Sequence, residues 1–212
     1  MKYIKLFENF DSYDPYELMI IPPNKKAEML IEEIKKEDKA NLNLVRDLIT
    51  LGANLDWQDE NGFTALHWCA YYNRPEILRM LIDEGADLNI QDNDGRTALH
   101  WCAYKNHPEI VRTLIDAGAD LNIQDEYGDT ALHLCTTCNH PEIAGILIDA
   151  GADVNIQDEN GWTALHWCVK YNHPWIARMF IDAGADKTIR DNRGRLPYEL
   201  AETKELKELL KV

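Results

Sequence analysis

The sequence predicts an all-α fold, a solenoid of stacked helix-turn-helix units with turns protruding along one edge. Three observations carry this. A 33-residue period runs through most of the chain with no insertion or deletion between copies. Each copy holds the same two helix-forming stretches, with their own start and stop signals. Neither stretch is long enough to be stable alone, so each must bury its apolar face against the next copy.

The period comes first, because a missed repeat misassigns the whole architecture. Residues 57–89 and 90–122 agree at 24 of 33 positions, and 123–155 and 156–188 follow in register. Within each copy Asp-x-x-Gly marks a turn (Asp59/Gly62, Asp92/Gly95, Asp125/Gly128, Asp158/Gly161). Asp can bond its own downstream backbone there and Gly supplies a positive φ. Thr64, Thr97, Thr130 and Thr163 then precede Ala-Leu-His, where a hydroxyl can cap a helix start. Pro75, Pro108, Pro141 and Pro174 open the second helix, since Pro at the first helical position loses no bond. Ile77, Leu78, Leu81 and Ile82 give that helix one apolar face. Gly85, Gly118, Gly151 and Gly184 end it, where a left-handed residue is wanted.

The succession Gly-x-Thr-Ala-Leu-His, x-x-Ala, His-Pro-Glu-Ile and Gly-Ala-Asp-x-Asn resembles the ankyrin repeat, and the match covers roughly residues 24–212. The resemblance implies an ankyrin-repeat solenoid that binds other proteins. The departures are mild. Ala65, Ala98, Ala131 and Ala164 stand where the family more often has Pro, and Cys69, Cys102, Cys135 and Cys168 where it often has Ala. Asn73, Asn106, Asn139 and Asn172 replace the usual Gly between the helices; Asn is the next best residue for a left-handed backbone.

The ends read as caps. Residues 24–56 keep Leu48-Ile49 and Leu51-Gly52-Ala53-Asn54 but lack Thr-Ala-Leu-His, and their first helix, about 25–36, is rich in Lys and Glu. Residues 189–212 keep Asp191-x-x-Gly194 and replace the motif with Leu196-Pro197-Tyr198-Glu199. Terminal repeats need a polar outer face. The predicted organisation is thus an N-terminal extension and linker (1–23), a capping repeat (24–56), four full repeats (57–89, 90–122, 123–155, 156–188) and a C-terminal cap (189–212). Pro15, Pro22 and Pro23 give 11–23 the look of an extended linker.

Composition narrows the function. The formal net charge is −15, from 37 acidic and 22 basic residues. Sustained binding to nucleic acid is disfavoured, because that affinity comes from clustered Lys and Arg; basic partners would be steered toward the chain. No apolar stretch is long enough to span a bilayer, and Met1–Phe10 does not read as a signal peptide. Five cysteines at repeat spacing suit a reducing compartment, so a cytoplasmic location is expected.

No constellation of catalytic residues stands outside the repeat pattern. His67, His100, His133 and His166 recur at the structural period and read as ties between neighbouring loops, as in the family the chain resembles. Cys135-x-x-Cys138 with His133 and His140 is the one metal-like cluster. Cys135, however, aligns with the inward Cys69, Cys102 and Cys168, so a four-ligand zinc site is not expected. Trp68, Trp101 and Trp167 read as packing between repeats with the indole N–H at an edge. No cofactor or metal is expected, and the chain is read as a non-enzyme.

Function should sit where the repeat leaves freedom. In the family these are the turn tips and the free face of the first helix, which line a concave groove. Seven of the twenty such positions here are Phe, Tyr or Trp, residues enriched at binding hot spots. The candidate partner-binding residues are Phe63, Tyr71, Tyr72, Arg96, Tyr104, Lys105, Tyr127, Asp129, Trp162, Lys170 and Tyr171. The expected partner is a protein with apolar anchors and a basic rim, bound by a monomer or weakly self-associating chain. A host-directed inhibitory binder of viral or bacterial origin is the second reading, and an enzyme the third.

Overall fold

The computed structural model describes residues 15–36 and 40–211, which form thirteen helices. The expectations placed on Met1–Phe10 and on 11–14 lie outside the described residues. From residue 15 the chain departs from the predicted linker. A short helix, α1 (Pro15–Met19), precedes α2 (Pro23–Lys35), and α1 packs on α3 (Leu42–Thr50). The reason is apolar: Leu18 and Ile21 are buried in the core of the array.

The remaining helices come in pairs. They are α4 (Ala65–Tyr72) with α5 (Pro75–Asp83), α6 (Ala98–Lys105) with α7 (Pro108–Asp116), and α8 (Ala131–Thr137) with α9 (Pro141–Asp149). Then follow α10 (Ala164–Lys170) with α11 (Pro174–Asp182), and α12 (Pro197–Leu200) with α13 (Lys204–Leu209). First helices stack on first helices (α2, α4, α6, α8, α10, α12) and second on second (α3, α5, α7, α9, α11, α13), so the molecule is two parallel rows. One continuous core lies between them, built from Leu66, Cys69 and Ala70 in α4, Ile77, Leu78 and Leu81 in α5, and their counterparts in the other pairs. Fully burying each such aliphatic chain stabilises by about 1.5–3 kcal/mol.

Local chemistry sets each boundary. Asn73, Asn106, Asn139 and Asn172 all adopt left-handed φ between the helices of a pair. In the four full repeats the second helix begins with Pro at its first turn. It ends in a Schellman motif, in which Ala86 N–H donates to Leu81 and Gly85 N–H to Ile82. In the N-terminal cap two charged residues of α2 point inward. Lys26 Nζ holds the Leu51 carbonyl at the end of α3 (2.6 Å), and Glu33 accepts from the Asn41 N–H.

Hydrogen bonds also join the units along the protruding edge. Gln58 Nε2 donates to Gly62 within its own turn and to Gln91 of the next unit; Gln91, Gln124 and Gln157 repeat the pattern. Turn tips bond tip to tip, as Asn93 N–H to Asn61 (3.1 Å) and Glu126 N–H to Asp94 (2.9 Å). These bonds fix the spacing of the tips before any partner arrives.

Candidate interaction face

The free face of the first helices is organised by one aspartate per unit. Asp59 Oδ1 accepts the N–H groups of Asn61 and Phe63, closing the turn, and its Oδ2 accepts the Trp68 indole N–H (3.0 Å). Asp92 does the same for Trp101 (2.8 Å) and Asp158 for Trp167 (3.0 Å). Each indole is therefore held by a carboxylate nine residues before it. The tryptophans are packing residues, as expected, and they also form the floor of the face.

Of the five units that carry this aspartate, two lack the tryptophan: Leu134 and Leu200 stand in its place. There the aspartate takes its donor from the preceding unit. Arg96 Nε reaches Asp125 Oδ2 (3.2 Å), and Trp162 Nε1 reaches Asp191 Oδ2 (3.1 Å), which Arg195 also holds. Burial alone would raise the Asp191 carboxyl, but hydrogen bonds from Arg195, Arg193 and Trp162 hold it at about 2. So position 63, 96, 129 or 162 must donate only where the next unit's aspartate has no indole of its own. Phe63 is free of that duty and is buried between Trp68 and Trp101, with ring centroids 4.8 and 5.1 Å away. This corrects its assignment to the exposed groove: an apolar ring at a unit boundary is drawn between the flanking indoles.

The other candidates lie on the face. Tyr104, Tyr127 and Tyr171 are 48%, 53% and 48% exposed. Lys170 is exposed, and Tyr71, Tyr72, Arg96, Lys105, Asp129 and Trp162 are half-buried. The rings gather into two clusters. In the first, Tyr72 stacks on Trp68, Tyr71 meets Trp101, Tyr104 stands edge-on to Trp101, and Lys105 Nζ lies 3.9 Å from the Tyr71 ring centre. In the second, Trp167 packs between Trp162 (4.5 Å) and Tyr171 (5.6 Å). Leu134, Thr137 and Cys138 separate them, because α8 carries neither the tryptophan nor the tyrosines of its neighbours.

Asp129 stands in that gap. The next unit's Asp158 already has Trp167, so nothing inside the fold calls for a side chain here. Asp129 Oδ1 is buried and has no hydrogen-bond partner. Burial, and then the charges of Asp125 and Asp158, push its carboxyl up to about 7, against the opposing pull of Arg96. A group whose folded pKa is raised costs stability above that pKa and regains it as pH falls toward the unfolded value. Asp129→Asn is accordingly expected to raise the melting temperature at pH 8, with the gain shrinking as pH falls through about 7 and disappearing near pH 3.8. Melts at both pH values check this, and an equal effect at both would remove the like-charge explanation.

The motif histidines are structural. The His67 Nδ1 accepts the Thr64 N–H (3.0 Å), and its Nε2–H donates to the Arg96 carbonyl of the next unit (2.9 Å). His100, His133 and His166 repeat this with the carbonyls of Asp129, Trp162 and Arg195. Only the neutral Nε2–H tautomer fits, since a carbonyl cannot donate. Burial lowers all four pKa values, to about 4 for His133. Cys69, Cys102, Cys135 and Cys168 are free and buried; burial raises each thiol, to about 12 for Cys135. Among the described residues no three His, Cys, Asp or Glu side chains gather to hold a metal, and no helix is long and apolar enough to cross a membrane.

Sequence reasoning passed over two features. His140 Nδ1 meets the Ala103 carbonyl of the previous unit (3.0 Å), and Arg74 likewise reaches Ile34, so the residues before Pro141 and Pro75 are a second tie between units. Trp175 is 69% exposed on the opposite row, where the other units carry Glu76, Glu109 and Glu142. Arg79–Glu109 and Arg112–Glu142 pair there between units, and Gly145 with Trp175 interrupts the series. The signal was a register in which one position changes chemical class.

The family model described as ankyrin repeats (3 copies) matches residues 34–125 and 119–191. No curated protein matches the chain as a relative.

Proposed function

The chain belongs to the ankyrin-repeat family, and on that premise we propose that it is a non-catalytic module holding one partner protein on the free face of its first helices. Ankyrin repeats are generally protein–protein interaction modules, and the family is typically non-catalytic. One observation carries the finer reading. Two aromatic clusters, their indoles fixed by carboxylates of the turns, flank an aspartate whose burial the fold does not need. The side chains are pre-set, so a partner ordering itself on them meets little further entropy cost. Tyr104 and Tyr171 supply apolar anchors. Asp129 and the acidic tips Glu60, Asp94, Glu126 and Glu159 suit a basic rim.

The test is affinity capture at moderate salt from a lysate of the native source, with the Tyr72/Tyr104/Tyr171→Ala variant as matched control. Hot-spot truncations cost about 2 kcal/mol or more each. The variant is therefore expected to lose its captured partner while keeping a cooperative melt. Equal recovery by both baits would move the site off this face.

A further inference from the structure

We propose that the C-terminal end of the face holds a pocket for a carboxylate, an Asp or Glu side chain of the bound partner segment. The inference rests on the binding face proposed above and gives it a direction. A cavity of about 380 Å³ opens between the turn tips and helices α10 and α12. Trp162 and Trp167 wall it, and Lys170, Arg193, Arg195 and Asp191 contribute its charge.

The charges are unequal in availability. Asp191 is buried and held ionised by its donors, and Arg195 is committed to it (2.7 Å) while lying over the Trp162 ring. Those two cancel. Among the described residues Lys170 and the Arg193 side chain have no anionic partner, although the chain carries a net charge of −15. Elsewhere on the same face the cations are occupied: Lys35 pairs with Glu32 and lies over Trp68, Arg96 pairs with Asp125, and Lys105 covers Tyr71. Two free cations beside two immobilised indoles therefore form a local positive site, continuous through Trp167 and Tyr171 with the aromatic row. A carboxylate entering beside the indoles could accept from both Lys170 and Arg193, while the aliphatic part of its chain rests on Trp162. The occupant fitted is a peptide segment, because the pocket continues that row. With Asp129 toward the middle of the face, the segment would place a basic residue there and an acidic one at this end.

Selection from a random peptide library displayed on phage tests this without knowledge of the natural partner. The baits are the full chain, Lys170→Glu/Arg193→Glu, and Tyr104→Ala/Tyr171→Ala. Peptides retained by the wild type and lost on the tyrosine variant are expected to be enriched at least about 5-fold in Asp or Glu at one position. On the charge-reversed bait that position should turn to Lys or Arg. A chain of this net charge favours basic peptides non-specifically, so acidic enrichment would not arise by default. Unchanged sequences on the charge-reversed bait overturn the pocket while leaving the face standing. Peptides indifferent to the tyrosine variant overturn both. Superimposable thermal melts for the baits establish that each is folded.

Discussion

In the Asp129→Asn background, unfolding free energy is expected to fall by at least about 3 kcal/mol between pH 7 and pH 4, because the unfolded chain takes up protons that the folded chain refuses. His133 sets that lower bound. Its ordinary value is 6.5 and burial brings it to about 4 in the fold. A group lowered in this way contributes stability above its unfolded pKa, and the contribution is lost as pH falls through 6.5 toward about 4. The cause is geometric: Nδ1 must stay unprotonated to accept the Thr130 N–H, and the ring is buried. His67, His100 and His166 are lowered for the same reason and add to the slope. Asp129 acts with the opposite sign over the same window, which is why the Asn background isolates the histidines. His133→Gln should then cost about 1–3 kcal/mol at pH 7.5, the range for leaving buried partners unmade. It should cost little at pH 4.5, where the wild type has already lost that contribution. Urea titrations at the two pH values read this directly. A His133→Gln penalty independent of pH would sink the account.

That result would rest on features readable in the sequence alone. The helix pairs were legible because each copy repeats every start and stop signal, and the left-handed Asn73, Asn106, Asn139 and Asn172 followed from residue chemistry. Two places were not legible by the same means. Pro15, Pro22 and Pro23 read as an extended linker, yet Leu18 and Ile21 had a core to enter and drew residues 15–19 into a helix. Position 63, 96, 129 or 162 varies between copies and so read as a binding position. Its variation is partly internal, since its chemistry answers to the residue 38 positions later, in the next unit. Where that residue is Trp101 or Trp167, the position is Phe63 or Asp129; where it is Leu134 or Leu200, the position is Arg96 or Trp162, a donor. Pairing positions across units, rather than aligning them within one column, would have found this. Asp129 is the case that the pairing leaves without a structural reason, and it accordingly gains weight as a partner contact.

Gly95→Ala is expected to cost about 3 kcal/mol or more, whereas Gly118→Ala should cost only about 1–2, although both glycines have positive φ. The shared part is backbone strain, about 1–2 kcal/mol for an L-residue in a left-handed conformation. Gly95 has φ 78° and Gly118 has φ 89°, so that part is similar. The difference lies in what a methyl group would meet. A Cβ on Gly118 has nothing within 4 Å. On Gly95 it would lie 2.7 Å from the Glu126 N–H nitrogen and 3.1 Å from the Asp125 backbone, which are atoms of the next turn and cannot rotate away. The turns would have to separate, weakening the Glu126 N–H to Asp94 bond (2.9 Å), which is worth about 1 kcal/mol. In a solenoid the interface between neighbours carries the stability, so this loss falls where the array can least absorb it. It also displaces the tips that frame the interaction face, and partner affinity should drop for Gly95→Ala but not for Gly118→Ala. Paired urea midpoints and binding curves for the two variants decide the point. Equal penalties would mean that the tips are not in fixed register and that strain alone accounts for both glycines.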